Sequence, residues 1–216
     1  MTAVKILIAD DHEVVRRGIA AQVAQHPDWE VIAEASNGRE AVELAQRLKP
    51  DLLVLDLTMP ELNGLAAASR IIAEQPEARI LILTVHDSEQ LVREVLAAGA
   101  RGYVLKSDAG RILMAALETL LEGGSFFTPK VSRMVIDGYL RNPGAAEEIG
   151  AAAFSARERE IVQLLAEGKS NKEVAVALGI SVKTAETHRS NIMRKGEFGS
   201  LAELVRYAIR NRIIEP

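Results

Sequence analysis

The sequence predicts an α/β domain, a doubly wound parallel sheet with helices on both faces, followed by an all-α domain of four helices. Three observations predict it. Short apolar runs alternate with amphipathic stretches as far as about residue 125. Asn142-Pro143-Gly144 then breaks the pattern with turn-forming residues. From Phe154 onward the pattern is wholly helical and carries two Ser-x-x-Glu capping signals.

The runs Val4–Ala9, Glu30–Ala35, Leu52–Leu57, Arg79–Thr84 and Gly102–Leu105 read as five strands. Three are dense in Val, Ile and Leu, as strands buried on both faces are. Between and after them, Glu13–Ala24, Arg39–Leu48, Leu65–Glu74, Ser88–Ala98 and Gly110–Glu122 place apolar residues near the helical period. Five strand–helix units with short connections make a parallel sheet. This first domain spans residues 1–125, and a linker with a short helix over Ser132–Leu140 spans 126–153. The last domain spans 154–216. Ser155-x-x-Glu158 opens a helix ending near Gly168, and Ser170-x-x-Glu173 opens a short one to Leu178. Gly179 turns the chain, Ser181 caps a longer helix to about Lys195, and Leu201–Arg210 forms a fourth. A short helix, a glycine turn and a longer helix make a helix-turn-helix.

Composition bounds the function. The chain has 216 residues, 48% hydrophobic and 26% charged, enough for two cores. No apolar run is long enough to span a membrane, and the N-terminus lacks signal-peptide features. With no cysteine, disulfides, thiolate zinc sites and cysteine nucleophiles are excluded. The expectation is a cytoplasmic protein with no membrane partner. The net charge of −4 is unevenly spread. Residues 1–125 carry 12 Lys/Arg against 19 Asp/Glu, whereas residues 151–216 carry 11 against 8. An acidic module joined to a basic one fits regulation of a nucleic-acid binder.

In an open parallel sheet, ligands bind beyond the carboxyl ends of the strands. Those ends carry Asp10, Asp11, Asp56, Thr84 and Lys106. Each alone has an ordinary reading as a cap or a solvated charge; the set, at strand ends, does not. Three carboxylates in one pocket repel unless neutralised. Lys106 supplies one positive charge and an oxygen-seeking Mg²⁺ the rest. That suits phosphoryl transfer to a carboxylate, with Asp56 as the nucleophile. The Thr84 hydroxyl can meet a phosphoryl oxygen, and Tyr103 can change rotamer with it.

The segments Ile8-Ala9-Asp10-Asp11-His12, Leu55-Asp56-Leu57-Thr58-Met59-Pro60 with Gly64, Leu83-Thr84 and Gly102-Tyr103-Val104-Leu105-Lys106 resemble the receiver domain of two-component response regulators. The resemblance implies a flavodoxin-like five-stranded sheet of order 2-1-3-4-5. It implies phosphorylation of Asp56 by a sensor histidine kinase. It also implies a metal site with Asp11, Asp56 and the Thr58 backbone carbonyl as ligands and Asp10 acting through water. Thr84 and Tyr103 take the switch positions.

Phe154–Glu160, Gly168–Glu173 and Ile180–His188 resemble the LuxR-type helix-turn-helix, so the whole chain is similar to the NarL/FixJ family. The second helix of the motif should enter the DNA major groove. By family position Glu186, Thr187 and Ser190 face base edges. Lys183, His188, Arg189, Arg194 and Lys195 lean toward phosphates or positioning, with Thr184 among the exposed candidates. Lys169 and Lys172 touch the backbone. Leu201, Leu204, Val205 and Ala208 on the last helix are the candidate contact of a DNA-bound homodimer, and RNA polymerase is a candidate partner. Gly196 stands where the family usually has Leu, so the helix stops there or the small core is weakened. On that reading Gly196→Leu stabilises the domain.

The expected protein is a transcriptional regulator, not an enzyme. A protein-docking module is disfavoured by the basic, polar recognition helix. A metal-dependent phosphatase needs a second Asp shortly after the nucleophile, where Thr58 stands.

Overall fold

The structure, a computed structural model, describes residues 3–141 and 154–215. The sheet is parallel, with order β2-β1-β3-β4-β5-β6. Its strands are β1 (Val4–Ala9), β2 (Trp29–Ala35), β3 (Leu52–Leu55), β4 (Arg79–Thr84), β5 (Gly102–Leu105) and β6 (Phe126–Phe127). The five-stranded expectation is corrected by one strand. β6 pairs with β5 through Gly102–Phe126 and Tyr103–Phe127 and covers an edge that would otherwise stay open.

The helices of this domain are α1 (Glu13–Val23), α2 (Gly38–Leu48), α3 (Gly64–Glu74), α4 (Glu89–Ala97), α5 (Lys106–Leu121) and α6 (Pro129–Arg141). Alternate residues of the buried strands point to opposite faces. Leu7, Leu53, Leu55, Ile80 and Ile82 face α2, α3 and α4. Ile6, Ile8, Leu52, Val54, Leu81 and Leu83 face α1 and α5. The strand order reverses between β1 and β3, so the tips of those strands flank the crevice.

Two further corrections bear on the site. The stretch after residue 125 is not all linker: Val131 of α6 is fully buried against the core beside α4. The Asn142-Pro143-Gly144 break and the rest of the expected linker to residue 153 lie outside the described residues. Helix α5 also begins at Lys106, ahead of the expected Gly110. A lysine in a first helical turn meets the positive end of the dipole, so its charge needs a local partner.

The C-terminal domain consists of α7 (Ala156–Ala166), α8 (Asn171–Leu178), α9 (Val182–Lys195) and α10 (Leu201–Arg210). Both predicted capping boxes form, at Ser155/Glu158 and Ser170/Glu173. Gly179 turns between α8 and α9 with φ +63°, a left-handed conformation that suits glycine. The core gathers Phe154, Ile161, Leu164, Val174, Ala185, Ile192, Leu204 and Ala208.

Candidate phosphoacceptor pocket and nucleic-acid interface

The strand tips converge. Lys106 Nζ donates to Asp56 Oδ2 at 2.7 Å and lies 2.8 Å from Asp10 Oδ2. This second contact is an ion pair without hydrogen-bond geometry, since Asp10 Oδ2 is buried with no hydrogen-bond partner. Asp10 and Asp56 are almost wholly buried, at 1% and 4% exposure, while Asp11 faces solvent. Ligand atoms of Asp10, Asp11, His12 and Asp56 all lie within 4.8 Å of one another.

Gly64 makes the pocket possible. A Cβ there would collide with the Asp56 carbonyl, because α3 starts directly against the end of β3. The Gly64 amide donates to Leu57 O at 2.8 Å, fixing the chain just after Asp56. On the other side, Arg16 Nη1 donates to the Asp10 carbonyl at 2.7 Å. The His12 amide donates to Asp10 Oδ1 at 2.9 Å.

Three carboxylates face one ammonium, and the proton affinities record the imbalance. Burial pushes the Asp56 carboxyl up to about 6, against the pull of Lys106. Burial works against the Lys106 charge as well. There, however, the attraction of the Asp10 and Asp56 carboxylates wins and holds the ammonium above its ordinary value. Excess negative charge, three carboxylates and a buried Asp10 oxygen without a hydrogen-bond partner fit a hard divalent cation.

Thr84 and Tyr103 are both fully buried, and the half-buried His86 links them. The His86 amide donates to Thr84 Oγ1 at 3.2 Å, and the Tyr103 hydroxyl donates to the His86 carbonyl at 2.8 Å. His86 Nε2 is 2.9 Å from Thr58 Oγ1. One residue therefore links both switch positions to the loop after Asp56. The sequence reading missed it; the signal was a histidine two residues beyond Thr84. Burial holds the Tyr103 phenol well above its usual range, so it stays a donor.

The second surface lies on α9. Lys183, Thr184, Glu186, Thr187, Ser190 and Arg194 are exposed along it, with His188 and Arg189 half-buried. Lys169 and Lys172, before and within α8, are exposed as well. Lys195, at the end of α9, is exposed and also holds the domain together. Its ammonium donates to Glu158 Oε2 at 2.7 Å and lies 5.6 Å from the centre of the Phe154 ring.

Two readings of this domain are corrected. Leu204 and Ala208 are fully buried in the domain's own core and present nothing to a partner; Leu201 is exposed and Val205 half-exposed. Of the two readings of Gly196, the early helix end holds and the weakened core does not. Gly196 caps α9, and a Cβ there would run into the Phe198 ring. That ring packs 5.2 Å from Tyr207 and 6.1 Å from Phe154, filling the space a leucine would take.

Known proteins agree with this geometry. Residues 6–118 match the model of the response regulator receiver domain, and residues 152–208 match the bacterial regulatory proteins of the luxR family. The oxygen regulatory protein NreC of Staphylococcus carnosus (strain TM300) is 39% identical over 215 residues, covering 98% of this chain and 99% of NreC. A solved RcsB response regulator of Salmonella typhimurium is 28% identical, with a TM-score of 0.63, over 96% of this chain and 97% of that one. A structure of two RcsB dimers bound to two parallel DNAs is 27% identical, with a TM-score of 0.57, over 95% of this chain and 98% of that one. With both domains matched in order along nearly its whole length, the chain belongs to the NarL/FixJ family and is a DNA-binding response regulator of a two-component system, not an enzyme.

Proposed function

We propose that Asp56 accepts a phosphoryl group from a sensor histidine kinase and that the resulting acyl phosphate controls DNA binding through α9. The observation that carries this reading is Lys106 Nζ at 2.7 Å from the Asp56 carboxylate, in a pocket shared with Asp10 and Asp11. A carboxylate oxygen of Asp56 attacks phosphorus, and the P–N bond to the donor imidazole breaks. The electron pair leaves on the imidazole nitrogen, which takes up a proton. Asp10, Asp11, Asp56 and the Thr58 carbonyl would hold Mg²⁺, which when bound neutralises charge on the phosphoryl oxygens. Lys106 orients the nucleophile and meets the same oxygens.

The new group adds about −1.5 to −2 charges. The Thr84 hydroxyl hydrogen-bonds one of its oxygens. Thr84 now accepts from the His86 amide, so a shift there reaches Tyr103 through the His86 carbonyl.

On DNA, Glu186, Thr187 and Ser190 read base edges from the major groove. Lys169, Lys172, Lys183, Thr184, His188, Arg189 and Arg194 position the domain on the backbone. Lys195 acts chiefly within the domain. The active form is a homodimer, and of the α10 candidates only Leu201 and Val205 have surface to offer it. RNA polymerase is a further partner. No helix among the described residues is long and apolar enough to cross a membrane, which supports a cytoplasmic regulator.

The test is phosphate incorporation from acetyl phosphate with Mg²⁺. Labelling of the wild type and none of Asp56→Asn is expected; equal labelling of both rejects the reading.

A further inference from the structure

His12 belongs to the pocket by position, yet phosphoryl transfer to Asp56 gives it no task. It follows Asp10 and Asp11 directly and stands at the N-cap of α1, where its side chain makes no capping hydrogen bond. Its ring turns toward the carboxylates instead. Nδ1 lies 2.7 Å from Asp11 Oδ1 and 3.4 Å from Asp10 Oδ1. A ring nitrogen of His12 and one oxygen each of Asp10, Asp11 and Asp56 fall within 4.8 Å of one another. Ligands bound at about 2.1 Å to one octahedral ion stand about 3.0 Å apart when adjacent and about 4.2 Å apart when opposite. The four donors are therefore spaced nearly as one coordination shell. A second observation points to a cation independently of this spacing. Asp10 is 1% exposed, yet its Oδ2 has no hydrogen-bond partner.

We propose that His12 is a metal ligand through its imidazole, and that it tunes the pocket toward a first-row transition divalent cation in preference to Mg²⁺. The inference rests on the reading that Asp10, Asp11 and Asp56 hold a divalent cation. Charge favours an imidazole as the added donor. The three carboxylates carry three negative charges, and Lys106 with a divalent ion supplies three positive ones. A neutral imidazole adds a ligand and keeps that balance, whereas a fourth carboxylate would upset it. Its nitrogen also changes the order of preference among ions. Mg²⁺ suits carboxylate, carbonyl and water oxygens, while imidazole suits the transition ions, whose affinity for nitrogen-containing sites rises along the series from Mn²⁺. The charge of the ion is the same in either case, so the phosphoryl chemistry at Asp56 is unaltered. What changes is which ion supports it at a given concentration.

The experiment titrates the full chain and His12→Ala with Co²⁺ alone and with Mg²⁺ alone at pH 8, followed by calorimetry. Urea unfolding of both proteins checks that the variant folds; the His12 side chain is largely exposed, so it should. His12→Ala should bind Co²⁺ about tenfold or more weakly, with its affinity for Mg²⁺ changed less than about twofold. Proton spectra of the Co²⁺-loaded wild type should show one exchangeable imidazole N–H shifted far outside the ordinary range by the paramagnetic ion, and His12→Ala should lack it. An equal loss for both ions would show that His12 acts only by holding Asp11, and overturns the proposal. Unchanged Co²⁺ binding does so as well. A far-shifted N–H that survives in His12→Ala would pass the role to His86, which lies 2.9 Å from Thr58 Oγ1, and overturns it too. Wild type that binds neither ion would defeat the cation-pocket reading itself, whereas Mg²⁺ binding without the shifted N–H defeats the His12 ligand alone.

Discussion

The pocket at the strand tips and the face of α9 are both built from charged and hydroxyl side chains, but they are held in opposite ways. In the pocket, Asp10, Asp56 and Thr84 are buried, and each sits in a short-range network with Lys106 or His86. On α9, Lys183, Glu186 and Ser190 stand in solvent, with only a loose 3.8 Å pair between the first two. Phosphoryl transfer needs charges fixed before the reaction, and removing water raises what each is worth. DNA reading needs side chains free to meet a partner that brings its own charge. Substitutions should therefore change stability in the pocket and affinity on α9.

Four substitutions sharpen this contrast. Lys106→Met removes the only cation bonded to Asp56 among the described residues and strands two buried carboxylates. It should destabilise the receiver by about 3–5 kcal/mol in urea unfolding at pH 7.5 and abolish phosphate uptake. A loss below 1 kcal/mol would show that the charges are already relaxed by solvent.

Asp56→Asn should do the reverse for stability. The wild-type carboxyl has its proton affinity raised by burial, to about 6 from 3.8 in a model peptide. The folded state then holds a proton that the unfolded state releases, so wild-type stability falls as pH rises from about 4 to about 6. The variant should be more stable by up to about 3 kcal/mol above pH 6, with the gain vanishing below pH 4. A pH-independent difference would contradict this.

Gly196→Leu should lower the melting temperature of the C-terminal domain, costing about 1–3 kcal/mol as the Phe198 ring is displaced. A rise would restore the reading of Gly196 as a cavity. Smallest in stability, Lys183→Ala on α9 should leave unfolding within about 0.5 kcal/mol of wild type. It should nevertheless weaken DNA binding and reduce its salt slope by about one. An unchanged slope would remove Lys183 from the phosphate contacts.

The legible parts of the molecule were those where pattern and chemistry coincide locally. Continuous apolar runs marked β1, β3 and β4, and Ser-x-x-Glu marked the starts of α7 and α8. Asp10, Asp11, Asp56, Thr84 and Lys106 stood out because a strand tip is the one place where buried strands turn polar. What escaped depended on distant packing. β6 is two residues long, too short to show a period, and exists because β5 needs an edge partner. Helix α5 starts at Lys106 because the carboxylates of Asp10 and Asp56 accept its charge. Leu204 and Ala208 share one apolar face of α10, and a stripe of that kind looks the same whether it meets its own core or a second chain. His86 acts largely through its backbone, which no side-chain motif records.

The most direct measurement of the whole account is the affinity of the chain for a DNA fragment selected by the phosphorylated protein. It would be read by fluorescence anisotropy with and without acetyl phosphate and Mg²⁺, in wild type and Asp56→Asn. The account predicts tighter binding on phosphorylation in the wild type and no change in the variant. An equal gain in Asp56→Asn, or no gain in wild type shown to carry the phosphate, would contradict it.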